Sequence, residues 1–90
     1  MSAEERDRWN ARYREAGPPA EQPARFLRAV GDLLPARGRA LDVAGGSGRN
    51  AIWLARRGLD VTVVDIAEEG LARAAEAAQR HGATLRTVRV

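Results

Sequence analysis

The sequence predicts an α/β fold in which two helices precede a β-α-β-α-β unit with a parallel sheet. Three observations predict it. First, two short runs of apolar and β-branched residues alternate with amphipathic helical stretches. Second, a third run of this kind lies at residues 84–90. Third, a glycine-rich turn at 45–48 joins the first run to the helix that follows it. Strands that alternate with helices form parallel sheets with right-handed crossovers, and we expect the strand order 3-2-1.

Two helices are expected before the sheet. Ser2 and Glu5 form a capping box that starts the first helix, which should extend to Ala16. Prolines at positions 18, 19 and 23 predict a stiff connector. The second helix is expected over residues 24–34, because its apolar residues recur at helical spacing: Phe26, Leu27, Val30, Leu33 and Leu34.

The sheet unit should contain five elements in alternation: strand 40–44, helix 49–57, strand 60–65, helix 68–81 and strand 84–90. The first strand is apolar on both faces, as a buried parallel strand requires. The helix at 68–81 begins with two acidic residues, which suit its positive end. Its inner stripe is predicted to consist of Leu71, Ala74, Ala75 and Ala78.

Composition limits the classes of function. Fifteen arginines, no lysine and a formal net charge of +3, with the arginines spread among carboxylates, argue against a nucleic-acid-binding patch. Without cysteine and with one histidine, we expect no disulfide, no metal site and no Ser-His-Asp site. The charged N-terminus and the lack of a run of about 20 apolar residues predict no signal peptide and no membrane span, with a cytoplasmic location as the default.

The segment that carries chemical information is the glycine turn together with Asp65. Glycines let the backbone approach a ligand, and the helix behind them presents free N–H groups. Asp65 ends the second strand 17 residues after Gly48. An acid at about this spacing accepts the hydroxyls of an adenosine ribose. The pattern therefore predicts a nucleoside site.

Two ligand classes compete for this site. Gly46, Gly48 and Ala51 match the G-x-G-x-x-A pattern of dinucleotide sites, so one interpretation is an NAD-binding half-domain. Asp42 favours the other, because a carboxylate at the end of the first strand repels a pyrophosphate and attracts a ligand bearing an ammonium and a sulfonium. S-adenosylmethionine has both cations and a ribose. A P-loop is excluded, because its Gly-Lys-Ser/Thr is missing.

Two segments, LDVAGGSGRNAIWLA at 41–55 and GLDVTVVD at 58–65, resemble the first two motifs of class I S-adenosylmethionine-dependent methyltransferases. Within these segments, GRN at 48–50 and GLDVT at 58–62 are similar to the small bacterial tellurite-resistance type. WNARY at 9–13 resembles the opening of many small bacterial members. The resemblance implies a Rossmann-like three-layer fold. Residues 24–90 would be its N-terminal half, residues 1–16 a lid-like helix and residues 17–23 a Pro-rich connector.

The resemblance also implies a set of cofactor-binding residues: Asp42, Ala44, Gly45, Gly46, Gly48, Asp65 and Ile66. Asp42 and the glycine-loop backbone would face the methionine end of the cofactor, with Gly48 admitting it. Asp65 would hold the ribose, and Ile66 would lie against the adenine. No catalytic residue is assigned, because methyl transfer from a sulfonium is a direct displacement that depends on alignment.

Two departures from the family pattern bear on function. Ala44 replaces the first loop glycine, which would impair the site if that position needs a positive φ. The family's later motifs have no counterpart up to Val90. We therefore expect a truncated form that lacks turnover, binds S-adenosylmethionine weakly if at all, and is partly folded or self-associates through an open sheet edge and face. The complete protein would methylate an acceptor that the sequence does not identify. The alternative is a non-catalytic interaction module.

Overall fold

The computed structural model describes residues 2–20 and 22–90, so the expected segments 1–16 and 17–23 are described without Met1 and Glu21. It has an α/β fold of three parallel strands preceded by two helices, which confirms the predicted fold class. The helices are α1 (Ala3–Ala16), α2 (Arg25–Ala29), α3 (Arg49–Arg56) and α4 (Glu68–Arg80). The strands are β1 (Gly38–Val43), β2 (Leu59–Asp65) and β3 (Leu85–Arg89).

The sheet has β2 in the middle, in the order β1-β2-β3 that the sequence predicts. Val64 of β2 is in register with Val43 on one side and with Val88 on the other. Because parallel strands end at the same edge of a sheet, this register brings the glycine turn after β1 next to Asp65 at the end of β2. This is the edge at which open α/β sheets bind ligands.

The core lies on one face of β2, where α3 and α4 both pack. Val61 and Val63 are fully buried there, together with Ala51 and Leu71. The predicted inner stripe of α4 is wrong at Ala75, which is exposed, while Ala77 is buried against Ile52 of α3. Ala77 and Ala75 lie on opposite sides of Ala74 around the helix, so the buried face is rotated away from Ala75 and toward α3.

The opposite face of the sheet is open among the described residues. Leu41 and Val43 of β1 are 65% and 70% exposed, and Val88 of β3 is also exposed. Ala40 of β1 packs against the covered face. The strand thus has apolar residues on both faces, but the prediction that it is buried is wrong for its open face. None of the described helices is long and apolar enough to cross a membrane.

The predicted helix over 24–34 is wrong in its second half. Helix α2 ends at Ala29, and a 3-10 turn at Gly31–Leu33 follows. Gly31 interrupts the helix, since glycine is disfavoured in helices, and it packs so closely that an added Cβ would lie 3.2 Å from the Trp53 ring. Arg57 donates to the Gly31 carbonyl at 2.9 Å. Phe26, which the sequence placed on the apolar face of this helix, is exposed.

Helix α1 begins as the capping box predicts, with the Glu5 backbone N–H donating to Ser2 Oγ at 3.1 Å. It packs along α4 and so lies over the carboxyl end of the sheet. Further along the chain, Asn50 Oδ1 accepts a hydrogen bond from the Ala24 backbone at 2.8 Å, which ties the start of α2 to α3. Both contacts place the N-terminal segment beside the glycine turn.

Candidate functional site

The turn after β1 starts at a strained residue. Ala44 has φ +56°, in the left-handed region that favours glycine. Its N–H and that of Gly45 both point at the Val64 carbonyl, at 2.7 and 3.4 Å, so the bend is fixed by β2. Ala44 therefore occupies a position that requires a positive φ, at a cost of about 1 kcal/mol or more.

Asp65 connects this turn to α4. Its side chain is 7% exposed. Oδ2 accepts from the Gly46 N–H at 2.9 Å, and Oδ1 accepts from the Ala67 N–H at the same distance. Each carboxylate oxygen has two lone pairs, so both retain the capacity to accept a further hydrogen bond.

Asp42 brings a second carboxylate to the same edge of the sheet. Its Oδ2 is buried and has no hydrogen-bond partner among the described residues. Gly45 makes room for it, because an added Cβ there would lie 2.6 Å from that oxygen. Burial raises the pKa of Asp42, and the nearby charge of Asp65 raises it further. Two neighbouring carboxylates, one of them with an unpartnered oxygen, suit a cationic ligand and oppose a phosphate.

Two adjoining cavities open at the ends of β1 and β2. One of about 250 Å³ lies on the open side of the sheet, and one of about 180 Å³ lies beneath α1. Both are lined by Ala44, Asp65 and Ile66. The predicted site residues that line them are therefore these three, which place a carboxylate next to an apolar wall.

The remaining loop glycines serve packing. Gly46 is covered by Tyr13, whose hydroxyl would collide with an added Cβ. Gly48 faces α4, where an added Cβ would lie 2.8 Å from the Ala74 Cβ. Close packing of α3 and α4 thus requires Gly48, and its contact with a cofactor stays a prediction.

The aromatic pair of α1 covers the smaller cavity. Trp9 and Tyr13 line it, and their ring centroids are 5.9 Å apart. Burial raises the pKa of the Tyr13 hydroxyl, and so does the charge of Asp65. Gly70 of α4 accommodates the tyrosine, since an added Cβ would lie 2.9 Å from two ring carbons. Sequence reasoning missed Gly70; its one signal was a glycine inside a predicted helix.

The family comparison covers the part of the chain that holds this site. A family model described as "Methyltransferase domain" matches residues 40–90, from β1 to the last residue and more than half of the chain. Among curated protein sequences, none matches the chain significantly.

Solved structures share the fold. The structure solved for the conversion of a disulfide bond into a thioacetal group during echinomycin biosynthesis superposes with a TM-score of 0.78 at 22% identity, covering 96% of this chain and 39% of its own. TehB from Haemophilus influenzae gives 0.60 at 28% identity, with 71% and 22% covered. DhpI in its complex with SAH gives 0.58 at 24% identity, with 93% and 42% covered.

The chain thus spans less than half the length of each of these structures. Within that length, the family match runs from within β1 through the glycine turn, Asp65, β2 and β3. By this match and by the shared fold, the chain belongs to the methyltransferase-domain family, among the class I S-adenosylmethionine-dependent methyltransferases.

Proposed function

We propose that this chain is the cofactor-binding half of a methyltransferase and that it binds S-adenosylmethionine at the ends of β1 and β2. The observation that carries the proposal is a cavity that Asp65 lines together with Ala44 and Ile66, with the carboxyl of Asp42 near enough to Asp65 for their charges to interact. In this arrangement residues 24–90 form the half-domain. Residues 1–16 act as a lid-like helix, and residues 17–23 are its connector.

The donor set fits the cofactor group by group. Asp42 lines neither cavity and its Oδ2 is buried, so its negative charge would act without direct contact on the methionine end, which carries an ammonium and a sulfonium. Asp65 has lone pairs left for the ribose hydroxyls, although both oxygens already accept backbone hydrogen bonds. The apolar surface of Ile66 suits the adenine ring. The glycine-loop residues Gly45, Gly46 and Gly48 hold these groups in place.

The loop itself argues against a dinucleotide. Phosphate sites of this kind depend on free backbone N–H groups in the glycine loop. Here the N–H groups of residues 44 and 45 point at Val64, that of Gly46 donates to Asp65, and that of Gly48 donates to the Gly45 carbonyl. The loop therefore has few donors left for a pyrophosphate, and the carboxylate of Asp65 lines the cavity where it would lie.

The bound cofactor would supply an electrophilic methyl group on a sulfonium. The chain's own residues bind and orient it, and Trp9 and Tyr13 exclude water from one side of the cavity. We assign recognition of the methyl acceptor to the rest of the whole protein, because the related structures are more than twice as long as this chain.

Ligand-observed NMR tests the proposal, since saturation transfer detects even millimolar binding. S-adenosylhomocysteine should give signals that S-adenosylmethionine displaces, while NADH should give none at equal concentration. The Asp42→Asn variant should lose affinity for S-adenosylmethionine, and Asp60→Asn, at the other end of β2, should not. Stronger binding of NADH would support the dinucleotide interpretation, and no binding of any of the three would support the interaction module; either result would overturn the proposal.

A further inference from the structure

Helix α1 has no fully buried apolar residue in the described part of the chain, although the Tyr13 ring packs on Gly46 and Gly70. Asn10 is its one buried residue among those described, with 8% of its surface exposed. A polar residue at this position needs hydrogen-bond partners, because burying an unpaired amide is costly. The position of α1 should therefore depend on what Asn10 bonds.

Asn10 bonds the first turn of α4. The residue before that helix, Ala67, offers no side-chain cap. Asn10 Oδ1 accepts the Glu69 N–H at 3.0 Å instead, from 59 positions away in the sequence. The Glu68 backbone N–H lowers the pKa of the Glu68 carboxyl, and the Asn10 side chain lowers it further, in keeping with a position beside that turn. Asn10 is thus an N-cap supplied by another helix.

The same turn of α4 also holds Asp65. The Ala67 N–H donates to Asp65 Oδ1, two positions before the amide that Asn10 accepts. Tyr13, one helical turn after Asn10, lies over Gly46 and Gly70. One helix end therefore fixes both the acid proposed for the ribose and the aromatic side chains that cover the cavity.

We propose that Asn10 is a positioning residue for cofactor binding. Resting on the proposed function, the inference is that its hydrogen bond to Glu69 holds α1 so that Trp9 and Tyr13 cover the cavity. The other polar contacts between the two helices are exposed: Arg14 with Glu69 at 3.1 Å, and Arg73 with the Arg14 carbonyl at 3.1 Å. Exposed pairs of this kind contribute little.

Hydrogen exchange tests the docking of α1 without any ligand. In Asn10→Ala the Glu69 amide should exchange at least tenfold faster, while the amides of β2 keep their rates. Asn10→Asp retains an acceptor oxygen but loses the amide N–H beside the Glu68 carboxylate, so it should restore part of the protection. Arg8→Ala, an exposed position on the same helix, should change neither. Unchanged protection at Glu69 would overturn the inference, and so would an equal loss in β2, which would make Asn10 a residue for global stability.

Binding of S-adenosylhomocysteine tests the link to the cofactor. Asn10→Ala should weaken it at least fivefold, Asn10→Asp should recover part of the affinity, and Arg8→Ala should match the unsubstituted protein. If the unsubstituted protein binds and Asn10→Ala binds equally well, the positioning role is wrong while the proposed function stands. If the unsubstituted protein does not bind, the proposed function fails, and the role of Asn10 in binding fails with it.

Discussion

The Gly46 N–H donates to Asp65 Oδ2 at 2.9 Å, and this bond joins the turn after β1 to the end of β2. A buried carboxylate that accepts two backbone N–H groups is held in one orientation. The bond also occupies a donor that a dinucleotide site would use for phosphate. This one hydrogen bond therefore both orients the Asp65 carboxylate and disfavours a dinucleotide as the ligand.

Asp65→Ala should weaken binding of S-adenosylhomocysteine by about 1–3 kcal/mol, because charge-assisted hydrogen bonds to the ribose are lost. Affinity for methionine alone should stay the same. Calorimetric titration measures both, and urea unfolding shows whether the variant still folds. Asp60→Ala, on the exposed start of the same strand, is the matched control. Unchanged affinity in a folded Asp65→Ala protein would remove Asp65 from the site.

Ala44→Gly should stabilise the chain by up to about 1 kcal/mol, because glycine relieves the positive φ but loses more chain entropy on folding. Cofactor binding should be equal or tighter. Ala40→Gly, within the extended part of β1, should instead destabilise by about 0.5–1 kcal/mol. Thermal unfolding compares the two. A clear loss of stability or affinity in Ala44→Gly would show that the methyl group of Ala44 makes a needed contact.

The Asp42 carboxyl should titrate above its ordinary pKa of 3.8, because burial and the charge of Asp65 both disfavour the ionised form. Carbon-detected NMR measures this directly, and Asp65→Asn should lower the midpoint. Because the folded pKa lies above the unfolded one, the folded chain binds this proton more tightly. The Asp42 contribution to the free energy of unfolding should therefore fall as the pH rises from 3.8 through the folded pKa.

Titration in the presence of S-adenosylmethionine extends this experiment. A cation close to Asp42 stabilises the carboxylate, so saturating cofactor should lower the midpoint. An unchanged midpoint would place the positive groups of the ligand away from Asp42.

The open face of the sheet should make the 90-residue chain self-associate as its concentration rises, since Leu41 and Val43 expose apolar surface beside the free edge of β1. Sedimentation velocity should show a concentration-dependent increase in mass that Leu41→Lys reduces. Phe26→Ser removes an equally exposed apolar residue from α2, outside this face, and should leave association unchanged. A monomer at all concentrations would contradict the prediction.

The sequence predicted the order of elements because their signals are local. The β-branched run of β2 and the glycine turn are read over a few residues, and the parallel order follows from their alternation. The break at Gly31 was missed, because the apolar spacing of residues 26–34 favours one helix and the close contact with Trp53 lies in the tertiary structure. Ala75 was misplaced for a similar reason, since the position of α3 decides which side of α4 is buried.

The residues of the candidate site were likewise predictable where their signals are local and were missed where they depend on distant contacts. Asp42 and Asp65 were identified from their positions at the carboxyl ends of strands. The sequence left open whether Ala44 needs a positive φ, because the bend depends on the Val64 carbonyl of a neighbouring strand. Asn10 lay within a motif but had no assigned role, because its partner amide is 59 residues away. A contact between residues so far apart in the sequence leaves no signal in hydrophobic periodicity or in composition.

Amide NMR mapping with S-adenosylhomocysteine tests the central claim most directly, that the cofactor lies at the ends of β1 and β2. A spectrum of the labelled chain, recorded at increasing ligand, reports which backbone positions sense it. We predict the largest shifts at Ala44, Gly46 and the residues from Asp65 to Ala67, with smaller ones at Tyr13. Shifts confined to other surfaces, such as α2 or the carboxyl end of α4, would contradict the account.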